Sequence, residues 1–451
     1  MSLSRGKKLL FPLGQFGLVL TSYGALKYFS TFYISNTAKN AFPLHLYQGY
    51  LFGFFTVAGL IIALSKLTDV AASILSGWLS DKRVLTRGKR TDFMVISAIP
   101  LAALSVLIFS PPTASHFQLN SVAILIYTIL FFIFLSLYTT PYLALLAEIG
   151  KSPRARLQLS MLMSCATAFA SLIGHRAFSY VSIVQKMKDL DSANAFRLVM
   201  FGYAVISAVC LLIPALFLGD KQEKMSCDMH QVVETSFTAS FSAVLKDNYF
   251  RHFLVSDIMY RLASACIIAG FSYYVTGLLG LSEEKGSFLL LVIFFTNLAL
   301  YVPVYFAVSV FGKRKILFAA FFMFMIFLPA AFFAGMYPFP VEIQGFLFAI
   351  LLAIPIAIFS VVPHALVADL VVASERKTGI LRSGIYFGIH NFAARVAQML
   401  VALVLPLVMS FGLVGIRITL VIAAVCSLVG FVFLFGYREK EVAVLLEKDT
   451  K

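Results

Sequence analysis

The chain has 451 residues, of which 60% are hydrophobic and 13% are charged, and its formal net charge is +15. This composition excludes a soluble globular domain and is typical of a helical membrane protein with many crossings. The apolar segments are too long and too unpatterned for a transmembrane barrel, whose strands alternate with a period of two. Because the positive charge lies mainly in short segments between apolar runs, no nucleic-acid partner is expected.

Twelve apolar segments are long enough to cross a bilayer, so we predict an all-α polytopic membrane protein. In chain order their predicted limits are 9–34, 52–80, 93–112, 119–147, 158–183, 197–219, 250–280, 286–311, 316–336, 341–372, 384–412 and 415–437. Basic residues precede the first segment, as in a signal peptide, but no convincing cleavage site of small residues follows. We therefore interpret this segment as a retained helix.

Lysine and arginine are distributed unequally between the two sides of the predicted helices. The N-terminus, the loops after even-numbered helices and the C-terminal tail carry most of the 36 basic residues. The opposite side carries only Lys39, Lys186, Lys188, Arg197, Lys285 and Arg417. Because cytoplasmic loops are enriched in Lys and Arg, both termini are predicted to be cytoplasmic. We expect a monomer in the bacterial inner (plasma) membrane.

A polar stretch is the longest interruption between apolar segments, and it divides the chain into two halves. A short repeat agrees with this division, since Ala144–Glu148 ends the fourth segment and Ala365–Asp369 ends the tenth, each after a proline. Two halves of six helices are the layout of carriers that work by alternating access. The predicted parts are an N-terminal bundle (1–219), a cytoplasmic central loop (220–249), a C-terminal bundle (250–437) and a cytoplasmic tail (438–451).

Seven charged residues fall inside the apolar segments: Lys27, Lys66, Asp69, Arg176, Asp257, Arg261 and Arg395. A charge at the centre of a membrane helix costs about 2.5–3.5 kcal/mol even on the lenient insertion scale. Such residues are therefore typical of a polar pathway through lipid. Asp257 and Arg261 are four residues apart and are predicted to pair on one helix. His175, His364 and His390 are interpreted as packing residues more readily than as proton relays.

Asp69 is the most informative of these charges. Deep in the second segment, its carboxylate needs a counter-charge, a bound cation or a proton. Lys66, three residues earlier, and Lys27 on the first segment are the candidate counter-charges. Two interpretations stay open at this point. Asp69 either forms an ion pair that only joins helices, or binds H⁺ or Na⁺ during transport.

Several stretches resemble known carriers. Gly77–Arg83, with a glycine and an aspartate four residues apart before basic residues, resembles the motif between the second and third helices of the major facilitator superfamily. Pro141–Glu148 with Arg156 resembles the end of the fourth helix of the glycoside–pentoside–hexuronide:cation symporters. The run from Ala368 to Arg395 is similar to the tenth loop and eleventh helix of that family. The family includes melibiose-permease-like sugar symporters and, more distantly, lysolipid carriers.

This resemblance implies a major facilitator fold, with twelve helices in two pseudo-symmetric bundles, and transport by alternating access. It also implies three sets of site residues. The expected sets are Asp69, Ser73 and Ser136 for the coupling cation; Lys27, Thr139, Tyr142 and Arg395 for the substrate cavity; and Asp81, Arg83, Arg87, Glu148, Arg156, Asp369, Lys377 and Arg382 for gating between conformations.

The chain also departs from the family's pattern. The family's second aspartate on helix two is Ser73 here, its acid on helix four is Thr139, and its early acid on helix one aligns with Gln15. Asp69 is then the single carboxylate in the expected cation site, which favours H⁺ coupling, or no coupling, over Na⁺. Because basic residues outnumber acids within the segments, an anionic substrate is the simplest neutralising partner.

We therefore predict a secondary active transporter, a symporter of a sugar, glycoside or uronate with H⁺ or Na⁺ as the coupling ion. The alternative is a carrier of an anionic solute such as a lysophospholipid or a sugar phosphate, with or without coupling. The chain has no Walker motif, so an ATP-driven pump is not expected. An enzyme, a catalytic residue, a bound metal and a cofactor are not expected either, because acids, histidines and cysteines are not clustered.

Overall fold

A computed structural model of the chain describes residues 5–23, 27–33, 46–47, 50–51, 55–87, 89–113, 115–218 and 236–447. Ten helices in this part of the chain are long and apolar enough to cross a membrane, and two shorter apolar helices accompany them. Together they correspond to the twelve predicted segments. Helices suit a bilayer because they satisfy every backbone hydrogen-bonding group internally. The prediction of an all-α polytopic membrane protein is thereby confirmed.

The N-terminal part of the chain contains eight helices within the described residues. They are α1 (Arg5–Tyr23), α2 (Phe29–Tyr33), α3 (Val57–Arg87), α4 (Thr91–Leu107), α5 (Phe117–Ile149), α6 (Pro153–His175), α7 (Ala177–Lys188) and α8 (Ser192–Phe217). Two short strands, β1 (Tyr50–Leu51) and β2 (Phe55–Thr56), pair antiparallel directly before α3. Within the described residues, the helix of the second segment begins at Val57, five residues after the predicted limit of that segment.

The C-terminal part contains eight further helices and one π-helical turn within the described residues. They are α9 (Phe237–Lys246), α10 (Asn248–Tyr273), the π-helix Tyr274–Leu278, α11 (Glu283–Phe311), α12 (Lys313–Phe332), α13 (Val341–Thr378), α14 (Ser383–Met409), α15 (Gly412–Leu434) and α16 (Glu439–Glu447). The π-helix continues α10, so the seventh predicted segment changes its hydrogen-bond pattern near its end.

The predicted fifth segment consists of two helices. α6 ends at His175 and α7 begins at Ala177, with Arg176 between them at φ −86° and ψ 9°. Arg176 is exposed and follows the end of the membrane-spanning helix. That Arg176 is a charge within a span stays a prediction. Apolar residues lie on both sides of His175 and Arg176, so hydropathy averaged over a span does not reveal this junction.

The contacts of the chain form two compact units. The first comprises Met1–Leu145 and Ala166–Asp228, and the second comprises Leu146–Cys165 and Met229–Lys451. In the first unit α8 packs against α1, α4 and α7, and in the second α10 packs against α14 and α15 while α13 packs against α11 and α12. The second unit thus includes the end of α5 and the first half of α6. A division at residues 220–249 stays a prediction.

Helices α1 and α5 approach each other closely in the first unit. The Tyr142 hydroxyl on α5 donates a hydrogen bond to the Phe11 carbonyl oxygen at 2.8 Å, and the two rings stack with centroids 4.6 Å apart. Gly14 lies against the same ring, since a Cβ added there would lie 2.6 Å from Tyr142 Cε2. Because Tyr142 is fully buried, its ring has little room to move.

We expect Gly14→Ala to lower the melting temperature of the purified protein, because the added methyl group overpacks the contact between α1 and Tyr142. Overpacking of this kind costs about 1–3 kcal/mol. Gly202→Ala on α8 is the matched control, since a Cβ at that position meets no atom within 4 Å. Equal melting temperatures of the two variants would contradict the prediction.

Candidate functional site

Asp69 is held in a buried position between α3 and α5. Asp69 is only 3% exposed. Ser136 on α5 donates a hydrogen bond from its Oγ to Asp69 Oδ1 at 3.3 Å. Ser73, one turn after Asp69 on α3, is also buried, and its Oγ donates to the Val70 carbonyl oxygen at 2.8 Å. The structure therefore brings Asp69 and Ser136 together, whereas the hydroxyl group of Ser73 forms a hydrogen bond within its own helix, α3.

Further buried hydroxyl groups continue this contact between α3 and α5. Ser76 Oγ donates to Thr140 Oγ1 at 3.0 Å, and Thr140 Oγ1 lies 3.4 Å from the Ser73 carbonyl oxygen. A hydroxyl group both donates and accepts. Ser136 therefore suits Asp69 in either protonation state, because it donates to the carboxylate and accepts from the carboxylic acid.

Ser65 extends the polar face of α3 in the other direction, and it was not among the predicted site residues. It lies one turn before Asp69 and is fully buried, and its Oγ has no hydrogen-bond partner among the described residues. Ser65, Asp69 and Ser73 are spaced by four residues, which places them on one face of the helix. This spacing is visible in the sequence and would have identified Ser65.

The two predicted counter-charges of Asp69 each lie over an aromatic ring. The Lys66 ammonium group is 5.0 Å from the centroid of the Phe132 ring on α5. The Lys27 ammonium group is 5.6 Å from the centroid of the Tyr23 ring. A cation over a ring face is attracted by the quadrupole of the ring, and the attraction grows where water is excluded.

The four residues predicted to line a substrate cavity have different surroundings. Thr139 is half-buried on α5, whereas Tyr142 is fully buried and bonded to α1. Lys27 is exposed, and Arg395 is half-buried on α14. Lys27, Thr139 and Tyr142 belong to the first unit and Arg395 to the second. That they line a single cavity stays a prediction.

Two ion pairs lie at the junction of α3 and α4. Arg90 Nη1, immediately before α4, donates to Asp81 Oδ1 and to Ser80 Oγ, both at 2.8 Å, and Arg90 and Asp81 are buried. Arg83 contacts Asp92 Oδ2 through Nε and Nη2, each at 3.1 Å. Arg90 was not among the predicted gating residues. Asp81 and Arg83 were predicted gating residues. Arg87 was predicted as well, but its side chain lies outside the part of the chain that the structure describes.

A buried charge cluster in the second unit is built around Asp369 on α13. Arg156 Nε on α6 donates to Asp369 Oδ1 at 2.5 Å, and Lys313 Nζ at the start of α12 contacts Asp369 Oδ2. Arg156 Nη1 also donates to the Gly150 carbonyl oxygen at 2.7 Å, and Lys313 Nζ to the Ala365 carbonyl oxygen at 3.3 Å. The structure thus joins two predicted gating residues, Arg156 and Asp369.

Lys313 was not among the predicted site residues, because it lies among basic residues that are typical of an ordinary cytoplasmic loop. Its backbone nitrogen and that of Arg314 donate to the carboxylate of Glu439, which fixes the beginning of α12. The remaining predicted gating residues lie at helix ends. Glu148 is half-buried near the end of α5, Lys377 is exposed near the end of α13, and Arg382 is half-buried directly before α14.

The predicted pairing of Asp257 with Arg261 on α10 is confirmed. Arg261 Nε donates to Asp257 Oδ2 at 2.6 Å. His390 on α14, which was interpreted as a packing residue, also contacts this pair. Tyr260, between the two paired residues, stacks on Phe359 of α13 with centroids 3.6 Å apart. The pair therefore lies where α10 meets α13 and α14.

Comparison with known proteins relates this arrangement to carriers. The model of the family described as MFS/sugar transport protein matches residues 11–438 of this chain. No curated protein matches the chain. The E. coli fucose:proton symporter FucP is similar in structure, with a TM-score of 0.68 and 17% identity over 97% of this chain and 100% of that chain.

Two further solved structures are similar in fold. The proton:xylose symporter XylE has a TM-score of 0.65 and 15% identity, over 98% of both chains. A bacterial homologue of the iron transporter ferroportin has a TM-score of 0.66 and 11% identity, over 96% of this chain and 99% of that chain. At these identities the likeness shows the fold, and it confirms the predicted major facilitator architecture.

We expect Asp369→Asn to destabilise the protein, because it leaves Arg156 and Lys313 buried without their shared counter-charge. Removing one partner of a buried ion pair costs about 3–5 kcal/mol. Thermal unfolding of the purified protein in detergent measures this loss. Glu342→Gln is the matched control, since Glu342 pairs with Lys285 at an exposed position, where an ion pair contributes about 0–1 kcal/mol. Similar melting temperatures for both variants would argue against the role of Asp369.

Proposed function

Since the chain belongs to the MFS/sugar transport protein family, we propose that it is a proton-coupled symporter of a small sugar, glycoside or uronate. It is a transporter and not an enzyme, and its helices make it an integral membrane protein. What we propose beyond this is the identity of the coupling ion and the class of the solute. The observation that carries it is the buried Asp69 carboxylate with its hydrogen bond from Ser136.

The chemistry of Asp69 supports coupling to a proton. Moving an ionised carboxylate between environments inside a membrane protein costs much free energy, whereas moving the neutral acid costs little. Asp69 would therefore take up a proton on one side of the membrane, stay neutral while the carrier reorients, and release the proton on the other side. The Ser136 hydroxyl keeps a hydrogen bond to Asp69 in both states.

A proton suits this site better than Na⁺. Hard cations such as Na⁺ are held by several oxygen ligands, among which carboxylates contribute most of the charge. The second aspartate of related symporters is Ser73 here, and its hydroxyl hydrogen is bonded to the Val70 carbonyl oxygen. One proton neutralises a single carboxylate completely. FucP and XylE, which share the fold, are both proton symporters of sugars.

A second candidate function is the transport of an anionic solute, such as a sugar phosphate or a lysophospholipid. The exposed Lys27 over the Tyr23 ring favours it, because an ammonium group beside an aromatic face can bind an acidic sugar or a phosphate. A uronate satisfies both candidates, since it carries a sugar ring and a carboxylate.

We expect a uronate or a neutral sugar to raise the melting temperature of the purified protein, because a ligand that binds only the folded state stabilises it. At a hundred times its dissociation constant, a ligand adds about 2.7 kcal/mol. The measurement is a thermal-shift screen with sugars, uronates, sugar phosphates and lysophospholipids, each with and without Na⁺. A response confined to sugar phosphates or lysophospholipids would replace the first candidate by the second. A shift that requires Na⁺ would contradict proton coupling.

We expect Asp69→Asn to abolish accumulation of the best ligand from that screen in proteoliposomes driven by a pH gradient. Asparagine imitates the protonated acid, so exchange of labelled for unlabelled ligand across the membrane should persist. Asp191→Asn is the matched control, because Asp191 is exposed before α8 and makes no capping hydrogen bond. Accumulation at the wild-type rate in Asp69→Asn would rule out Asp69 as the coupling group.

A further inference from the structure

Polar residues of three helices in the second unit lie at the middle of those helices, and the proposed function does not use them. Asn297 is the central residue of α11, Ser164 is the central residue of α6, and Ser360 is one of the two central residues of α13. Ser164 Oγ donates a hydrogen bond to the Ser360 carbonyl oxygen at 2.7 Å, which joins α6 to α13 at this depth. Because the solute sites of carriers lie near the middle of the bilayer, polar groups at this depth are candidates for binding a solute.

The carboxamide group of Asn297 is incompletely hydrogen bonded. Asn297 is 9% exposed, and its Oδ1 is buried without a hydrogen-bond partner among the described residues. A buried acceptor without a donor carries the full cost of leaving water. Such groups are rare in native proteins, and they mark a functional role or a bound molecule. The donor that completes Asn297 therefore comes from outside the described chain.

Tyr301 lies one turn after Asn297, on the same face of α11. It is 7% exposed, and its side chain forms a hydrogen bond with that of Ser360 on α13. Ser360 Oγ donates to the Ile356 carbonyl oxygen at 2.8 Å, so it accepts from the Tyr301 hydroxyl group. Tyr301 therefore ties α11 to α13 one turn away from Asn297.

Two residues beside these groups have accessible surface. α13 is buried over 355–359 and over 361–363, whereas Ser360 between these stretches is half-buried. Cys165 on α6 is half-buried as well, and its thiol interacts electrostatically with the Tyr301 hydroxyl group. The accessible surface at Ser360 is therefore a local opening in an otherwise buried stretch of helix.

The side chains at this place are neutral at pH 7, namely Asn297, Tyr301, Ser360 and Cys165. They suit an uncharged polar group better than a carboxylate or a phosphate, which binds preferentially to cations. A sugar hydroxyl group is uncharged and can both donate and accept, as a carboxamide group can. The hydroxyl group of a sugar therefore supplies the donor that Asn297 Oδ1 lacks.

We propose that Asn297 binds a hydroxyl group of the carried solute, with Oδ1 as the acceptor of the hydrogen bond. Tyr301 and Ser360 position α11 and α13 around this contact. The inference rests on the proposed function, because it assigns the contact to a sugar-like solute. It involves a different unit of the chain from Asp69 and does not depend on the coupling ion.

The test compares wild type with Asn297→Leu by the thermal shifts that fucose, xylose and glucuronate each produce in detergent. Leucine has about the size of asparagine and removes the unpartnered amide, so the melting temperature without sugar should stay equal or rise. Loss of the hydrogen bond to the solute should raise the dissociation constant of the sugar that binds about fivefold or more. Ser207→Ala is the matched control, since Ser207 Oγ on α8 is also buried without a partner among the described residues.

Monodeoxy analogues of that sugar identify the hydroxyl group concerned. The analogue that lacks it should bind wild type more weakly than the parent sugar does, and it should bind Asn297→Leu as tightly as the parent. Equal affinities of wild type and Asn297→Leu for every sugar overturn the inference and leave the proposed function standing. If none of the three sugars shifts wild type, the proposed solute class fails and the inference fails with it.

Alkylation of the wild-type protein gives a second measurement, which holds even if Asn297→Leu does not fold. N-ethylmaleimide should modify the half-buried Cys165, and the sugar that binds should slow this modification, as followed by mass spectrometry. Cys426 on α15 is the internal control, since it is half-buried in the same unit and should react equally with and without sugar. Modification of Cys165 that does not depend on a sugar that shifts the melting temperature overturns the inference.

Discussion

Charged and polar side chains inside the hydrocarbon must find compensation within the protein, because lipid offers none. The structure meets this constraint in three ways. Asp69 receives a hydroxyl group from a neighbouring helix, Asp257 receives a guanidinium group from its own helix, and Lys66 lies over an aromatic ring. The contacts of Asp69 and Lys66 both join α3 to α5. These contacts therefore make the charges tolerable and also position the two helices.

The cluster around Asp369 applies the same rule to three charges. Arg156 and Lys313 share one carboxylate, and their remaining donors bond to backbone carbonyl oxygens at Gly150 and Ala365. Arg156 lies within Leu146–Cys165, a stretch of the second compact unit, and its contact with Asp369 joins this stretch to α13.

The two buried aspartates within the membrane helices are compensated differently. Asp69 has a neutral partner, Ser136, whose hydroxyl group can donate to the carboxylate or accept from the acid. Asp257 has a charged partner, Arg261, and the imidazole of His390 also contacts it. A guanidinium group only donates, so it suits the ionised form of Asp257, whereas the hydroxyl group of Ser136 suits Asp69 with or without a proton.

The amino-acid sequence alone determined the helical fold, the number of apolar segments and the pairing of Asp257 with Arg261, because hydropathy and helical periodicity are local properties. It also placed Asp69 and Ser136 as candidates through a family resemblance. The break at Arg176, the short hairpin before α3 and the roles of Arg90 and Lys313 were not predicted. His390 was interpreted as a packing residue, and the structure places it fully buried against Asp257 and Arg261. Which helix face meets which neighbour depends on how the helices rotate and pack, so only the tertiary structure decided these partners.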